Sequence, residues 1–276
     1  MKLYKFRSFD TYSLTALQNN YIWFSKTKDF NDPFEGAFLL DEKIPPKLVE
    51  QALKQTTFKS KEEIGAERYL EMLKSMGLDE NSVTNEQLFH ALVKQSLDSV
   101  INVYSNMMMG CFSKCTAERD PIYENLMWSH YADGLRGYCL VFDLEQLGED
   151  FNSIENHSVA SIDVRYQDSP SSLSLEEFIS TGVMPGVENF EYVDKAARVF
   201  STKSPSWDYE NEVRFMSHLK TNKHVYSADA LLEIVIGSKM PQEQLSLLSA
   251  IANNVKPGIS IKTASLEPGT YRLRIC

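Results

Sequence analysis

Long apolar runs are missing from this chain. No stretch approaches the roughly 20 apolar residues that a membrane-spanning helix requires, so an integral helical membrane protein is excluded and no membrane partner is expected. Cysteine is scarce, with four residues in 276. The opening MKLYKFRSFD is broken by charge and aromatics and does not read as a secretory leader, so a cytoplasmic location and reduced thiols are expected. Cys111 and Cys115 have CxxxC spacing but no second Cys or His pair to complete a zinc site, so no metal is expected. Basic residues are the minority, 28 against 38 acidic, for a net charge of −10. General nucleic-acid binding needs clustered Lys and Arg and is therefore excluded. Also absent are G-x-G-x-x-G, G-x-x-x-x-G-K-[ST], H-E-x-x-H and the G-x-S-x-G elbow. The E-x-K half of a common nuclease motif is missing too, because Glu212 is followed by Val213 and Arg214. There is no internal repeat and no low-complexity linker.

What is present is an ordinary globular composition, 43% hydrophobic and 24% charged, sufficient for a large buried core. Leu3–Arg7 alternates and reads as a strand, Leu14 and Leu17 mark a short helix with Ser13 as candidate cap, and Tyr21–Ser25 reads as a second strand. From about 45 to 103 the character changes. Leu88, Phe89, Leu92, Val93, Leu97 and Val100 recur at helical spacing, and three helices are expected there, broken near Pro46 and Gly77. Strand-like character resumes over Val103–Phe112, through Met107–Phe112, and strands are expected at Gly137–Phe142, Ile162–Tyr166, Glu212–Met216 and Leu232–Gly237, with a helix over Gln242–Asn253. The expected fold is α+β, a mixed, mainly antiparallel sheet core in one domain over 1–276, carrying a helical insertion at about 45–103.

Four polar-aromatic clusters stand out. Arg7, on the first strand, offers a planar fork for a phosphate or carboxylate, or is a solvated structural arginine. Asp32 and Glu35 sit in the turn-rich Phe30–Gly36, either at the mouth of a cleft or as a loop latch. Trp128, Ser129, His130, Tyr131 and Asp133 supply stacking faces and hydrogen-bonding groups, although a lone His beside aromatics is more often a satisfied core or surface residue. Glu210, Glu212 and Arg214 alternate after Trp207, and extended geometry puts all three on one face. That arrangement suits an ion-pair ladder or a polar active site, and as a pattern the ladder is favoured.

In order, LYKFRS, WFSKTKDFNDPFEG, GCFS, MWSHYADGLRGYCLVFD, Lys203, WDYENEVRF and IVIGS resemble the bacterial family known as domain of unknown function 2971. The resemblance runs nearly end to end apart from the 45–103 stretch, and carries no assigned function. More distantly, a first-strand Arg, a Ser in the second strand and a late E-x-E strand resemble the ADP-ribosyltransferase superfamily. That resemblance implies a split sheet and NAD as co-substrate, with Arg7 gripping the dinucleotide and Ser25 helping to place nicotinamide. Glu212 or Glu210 would hold a ribose hydroxyl and stabilise the charge that develops as nicotinamide leaves. The usual S-T-S run is absent, since Ser25 stands alone. The expected activity is NAD cleavage with ADP-ribose transfer, in a toxin or phage-defence setting. Glu212, Glu210 and Arg7 are the catalytic candidates. Arg7, Ser25, Asp32, Glu35, Trp128, His130, Tyr131 and Arg214 are the nucleotide-binding ones. The alternatives are a non-catalytic ligand sensor and a metal-dependent phosphoesterase using Asp32, Glu35, Glu210 and Glu212.

Overall fold

In the computed structural model, the described residues are 1–55, 59–153, 158–183 and 191–276. Their strands are β1 (Lys2–Arg7), β2 (Tyr21–Trp23), β3 (Phe38–Asp41), β4 (Met108–Lys114), β5 (Tyr138–Asp143), β6 (Val159–Asp163), β7 (Arg165–Tyr166), β8 (Ser171–Ser174), β9 (Thr202–Lys203), β10 (Glu212–Ser217), β11 (Lys223–Val225), β12 (Leu231–Gly237), β13 (Ser260–Leu266) and β14 (Leu273–Ile275). The helices are α1 (Thr11–Gln18), α2 (Pro46–Gln55), α3 (Lys61–Ile64), α4 (Ala66–Ser75), α5 (Asn85–Ser105), α6 (Asn125–Tyr131), α7 (Leu144–Phe151), α8 (Leu175–Phe178), α9 (Glu191–Val199) and α10 (Gln242–Val255). The fold is α+β, as expected, and the chain forms two compact units.

The first unit comprises Met1–Glu35, Asn106–Asp168 and Lys203–Cys276. Its main sheet runs β14-β13-β12-β5-β1-β4-β10-β6, antiparallel except where β12 meets β13. Both faces are covered, so its central strands read as apolar runs rather than alternating ones. In β5, Tyr138, Leu140 and Phe142 enter one core with Leu3, Leu17, Phe112 and Leu248, while Cys139 and Val141 enter another with Phe6 and Trp128. Asp10, not Ser13, caps α1: its carboxylate accepts from the Ser13 amide at 2.8 Å and from the Ser13 hydroxyl at 3.1 Å.

One irregularity opens the sheet. β1 pairs with β5 along all six residues, and β4 pairs with β10 from Met108 to Ser113. Between β1 and β4 only two pairs form, Leu3↔Lys114 and Tyr4↔Ser113. Beyond Tyr4 the strands part, and β4 pairs instead with Ser25, which exchanges two backbone hydrogen bonds with Met109. Gly110 lies on this stretch because the Phe24 ring crosses it: a Cβ there would stand 2.3 Å from that ring.

The second unit comprises Gly36–Ser105 and Ser169–Thr202. Four helices, not three, occupy its described part between Pro46 and Ser105, while residues 56–58 lie outside the description. Ser60 and Glu63 form a capping box that starts α3, which sequence periodicity does not register over four residues. α5 buries Leu88, Phe89, Val93 and Leu97 and runs unbroken for 21 residues. A short parallel pair, β3 with β8, completes the unit.

Candidate functional site

The split between β1 and β4 holds a cleft of about 370 Å³, within the range of roughly 300–1,000 Å³ typical of small-molecule sites. Lys5 and Arg7 line it from β1, Ser25 from the segment after β2, Cys111 from β4, and Glu210 and Glu212 from the far side. Asp32, Glu35 and Tyr131 also line it, so these predicted residues come together. Trp128, His130 and Arg214 do not reach it. Trp128 is 1% exposed, donates from Nε1 to the Ile122 carbonyl at 2.8 Å and packs edge-on against Phe6 at 5.3 Å. His130 is exposed, with Nδ1 2.9 Å from the Tyr209 hydroxyl. Arg214 is wholly buried as a counter-ion behind the wall.

Glu210 does not lie on the strand with Glu212. It ends a 3-10 turn over Pro205–Glu210, and Asn211 follows in the left-handed region at φ 42°. The Asn211 side chain fastens this bend by donating to the Lys114 carbonyl at 2.5 Å. The two carboxylates nonetheless meet on one ammonium: Lys203 Nζ is 2.6 Å from Glu210 Oε2 and 3.0 Å from Glu212 Oε2.

The ladder expected from the pattern is present and buried. Arg214 holds Glu35 with a two-pronged pair of 2.8 Å bonds and Glu212 through Nε at 2.8 Å and Nη2 at 3.2 Å. Lys203 also pairs with Glu35 at 3.5 Å. Tyr131 donates its hydroxyl to Glu210 at 2.5 Å. Burial alone would push the Glu212 carboxyl up, but Arg214 and Lys203 together hold it well below the usual carboxylate range. Glu210 goes the other way: burial and the Glu212 charge raise it more than Lys203 and Tyr131 lower it. Lys203 would be lowered by burial, yet Glu212, Glu210 and Glu35 raise it above the ordinary lysine value. Asp32 accepts from the Phe34 amide at 2.9 Å, which makes the Asp32–Phe34 turn a latch as well as a wall. Every carboxylate that a metal-dependent phosphoesterase would use is thus already bonded to a cation or an amide. Among the described residues no three His, Cys, Asp or Glu side chains form a metal-holding group.

The β1 side has the opposite balance. Arg7 is half-buried, its guanidinium has no hydrogen bond or ion pair among the described residues, and burial lowers its pKa. Lys5 lies two residues away on the same face, half-buried over the Phe112 ring at 5.2 Å. Its one hydrogen bond goes to the Cys111 carbonyl at 2.5 Å, an acceptor left exposed by the parting of the strands. Burial, then the neighbouring Arg7 charge, lowers the Lys5 pKa to about 8.

Lys5, Cys111, Lys203 and Trp207 also line the cleft, although none of them is a site candidate on sequence grounds. Lys5 was legible as the partner of Arg7 at strand spacing. Lys203 and Trp207, the latter 5.0 Å from the ammonium, needed the turn before Glu212 to be known. Gly137 supports the site from beneath: a Cβ there would stand 2.1 Å from the Arg7 carbonyl. It follows Asp133, Gly134 and Leu135, three successive residues with positive φ (47°, 59° and 71°).

A family model described as "Protein of unknown function (DUF2971)" matches residues 127–215. This span contains Tyr131, Gly137, Lys203, Glu210, Glu212 and Arg214, the carboxylate side of the cleft, and ends before the β10–β11 connection. The matched span thus includes Glu210, Glu212, Arg214 and the Gly137 turn, while Lys5, Arg7, Ser25 and Glu35 lie outside it. No curated protein and no solved structure matches the chain. No described helix is long and apolar enough to cross a membrane.

Proposed function

We propose that the cleft binds an NAD-type dinucleotide and breaks its N-glycosidic bond, in the manner of an ADP-ribosyltransferase. The observation that carries this reading is the charge asymmetry of the split: Lys5 and Arg7 on one side, with no ion-pair partner among the described residues, and the buried carboxylates Glu210 and Glu212 on the other. Arg7 takes the diphosphate, for which a desolvated guanidinium with no direct ion pair among the described residues is suited. The C1′–N bond breaks with both electrons leaving on nicotinamide. Glu212, held ionised, offsets the positive charge of the oxocarbenium-like ribose. An acceptor or water then adds to that carbon and gives its proton to Glu210, whose raised pKa makes it the better base of the pair. Ser25 and Trp207 also line the cleft, and in this reading they receive the leaving ring.

The test is nicotinamide release from NAD by the purified protein, with thermal stabilisation by NAD as a binding readout. The expected result is turnover that is lost in Glu210→Gln and weakened in apparent affinity by Arg7→Gln. A second reading, ligand recognition without turnover, is favoured by one observation: the Glu212 charge is already shared between Arg214 and Lys203. Stabilisation by NAD without nicotinamide release supports that second reading and ends the first. Absence of both ends each of them.

A further inference from the structure

Lys5 is hard to explain as a structural residue. A lysine buried in a sheet normally faces a carboxylate, yet no ion pair is formed by Lys5 among the described residues. The neighbouring charge that acts on it most strongly is Arg7, of the same sign and two residues along the same face of β1. The strand places it not against solvent but in the opening, over the Phe112 ring. Desolvation beside a second cation is the arrangement that frees a lysine amine for attack. Its sole hydrogen-bond acceptor is suited to this. The Cys111 carbonyl accepts an N–H from either protonation state, whereas a carboxylate would demand the ammonium. A neutral amine held this way has one N–H engaged and its lone pair available to the cleft.

We infer that Lys5 is a carbonyl-reactive amine, which forms an imine with a small aldehyde whose phosphate is received by Arg7. This goes beyond dinucleotide cleavage and does not depend on it. The lone pair of Lys5 Nζ adds to the carbonyl carbon and the C=O π pair moves to oxygen, which takes up the proton that the nitrogen releases. The resulting carbinolamine loses that hydroxyl, after a second protonation, as water. In sum one amine, one aldehyde and one proton give a protonated imine and one water. The charged and titratable groups that face Lys5 are Arg7, which favours the free amine, and Cys111, Glu212 and Glu210, which oppose it. Burial and Arg7 prevail, with a midpoint of about 8.

Pyridoxal 5′-phosphate, an aldehyde bearing a phosphate, is the probe. The native protein is incubated with less than one equivalent, reduced with borohydride to fix any imine as a secondary amine, and mapped by peptide mass spectrometry. Lys5 should be the dominant modified lysine, at least tenfold over any exposed one, with a labelling rate that rises with pH to a midpoint near 8. Arg7→Gln should slow it about tenfold, the scale of one lost charge-assisted hydrogen bond. Lys5→Arg, which keeps the charge but cannot form the imine, should remove that peptide from the map. Label spread over surface lysines in proportion to exposure overturns the inference, as does a Lys5 midpoint at the ordinary lysine value. The wild-type map and pH profile decide this even if a variant fails to fold. Nicotinamide release assayed on the same wild-type sample separates the two proposals, since either result can occur without the other.

Discussion

Replacing Glu212 by Gln tests whether the ladder is stability, chemistry or both. The side chain is 5% exposed and receives two bonds from Arg214 and one from Lys203. Had this pair been on the surface, losing it would cost roughly 0–1 kcal/mol. It is not on the surface. Arg214 is wholly buried, and neutralising Glu212 removes one of the two carboxylates that compensate it, the other being Glu35. Breaking a buried pair from one side typically costs about 3–5 kcal/mol, and because Gln retains one acceptor oxygen the expected loss is about 3 kcal/mol. Glu212→Gln should therefore lower the urea midpoint strongly at pH 7 without changing the slope. Glu212→Gln combined with Arg214→Met should recover part of that loss, because the stranded cation is gone. Acid should act in the same sense. A carboxyl whose pKa is lowered on folding contributes stability above its unfolded value near 4.5, and that contribution is lost only as pH falls toward the folded value. A loss under about 0.5 kcal/mol, within the range of surface substitutions, would mean the carboxylate is solvated and the burial reasoning is wrong. On the folded fraction, nicotinamide release should fall on the order of a hundredfold or more, as for other groups that act on transition-state charge.

Lys5→Met should stabilise the fold at pH 7, by about 3 kcal/mol if the whole shift from 10.5 to about 8 is a folding cost. Because the folded pKa is the lower one, wild-type stability rises between pH 8 and 10.5, so the advantage of Met should shrink over that interval; an advantage flat with pH would refute it. Gly137→Ala should cost more than Gly110→Ala in the same denaturation assay. The first meets the Arg7 backbone oxygen, which cannot move alone, while the second meets the Phe24 ring, whose displacement costs about 1–3 kcal/mol. Trp128→Phe should lose about 1–3 kcal/mol by stranding the Ile122 carbonyl, yet leave ligand affinity in a thermal-shift titration unaltered, since the indole does not reach the cleft.

The parts of the fold visible in advance were those whose signal is local. Leu3–Arg7, Gly137–Phe142 and Leu232–Gly237 are apolar enough to be strands in any context, and the spacing through α5 admits only a helix. What escaped was set by distant partners. Glu210 and Glu212 alternate like neighbours on a strand, but the left-handed Asn211 between them, held by the Lys114 carbonyl almost a hundred residues earlier, takes Glu210 off it. Trp128 and His130 share a motif with Tyr131 but not its place: His130 is turned by about 100° from it on the helix, while Trp128, three residues back and on nearly the same face, is held in the core by the Ile122 carbonyl and Phe6, so that of the three only the tyrosine lines the opening. Lys203 carries no motif at all, and its importance comes from three carboxylates that converge on it from separate segments.

The parting of β1 from β4 after Tyr4 has a further consequence for how this cleft can vary. Along that opening β4 presents main chain that does not pair with β1, of which the Cys111 oxygen, bonded to Lys5, is the example seen. Such groups are the same whichever amino acid occupies the position. Substitutions at Cys111 or Ser113 can therefore alter the size and polarity of the recess while its main-chain donors and acceptors persist, provided the strands stay apart. Chains that keep the parting but differ in lining side chains would share one polar frame and differ in what fits inside it.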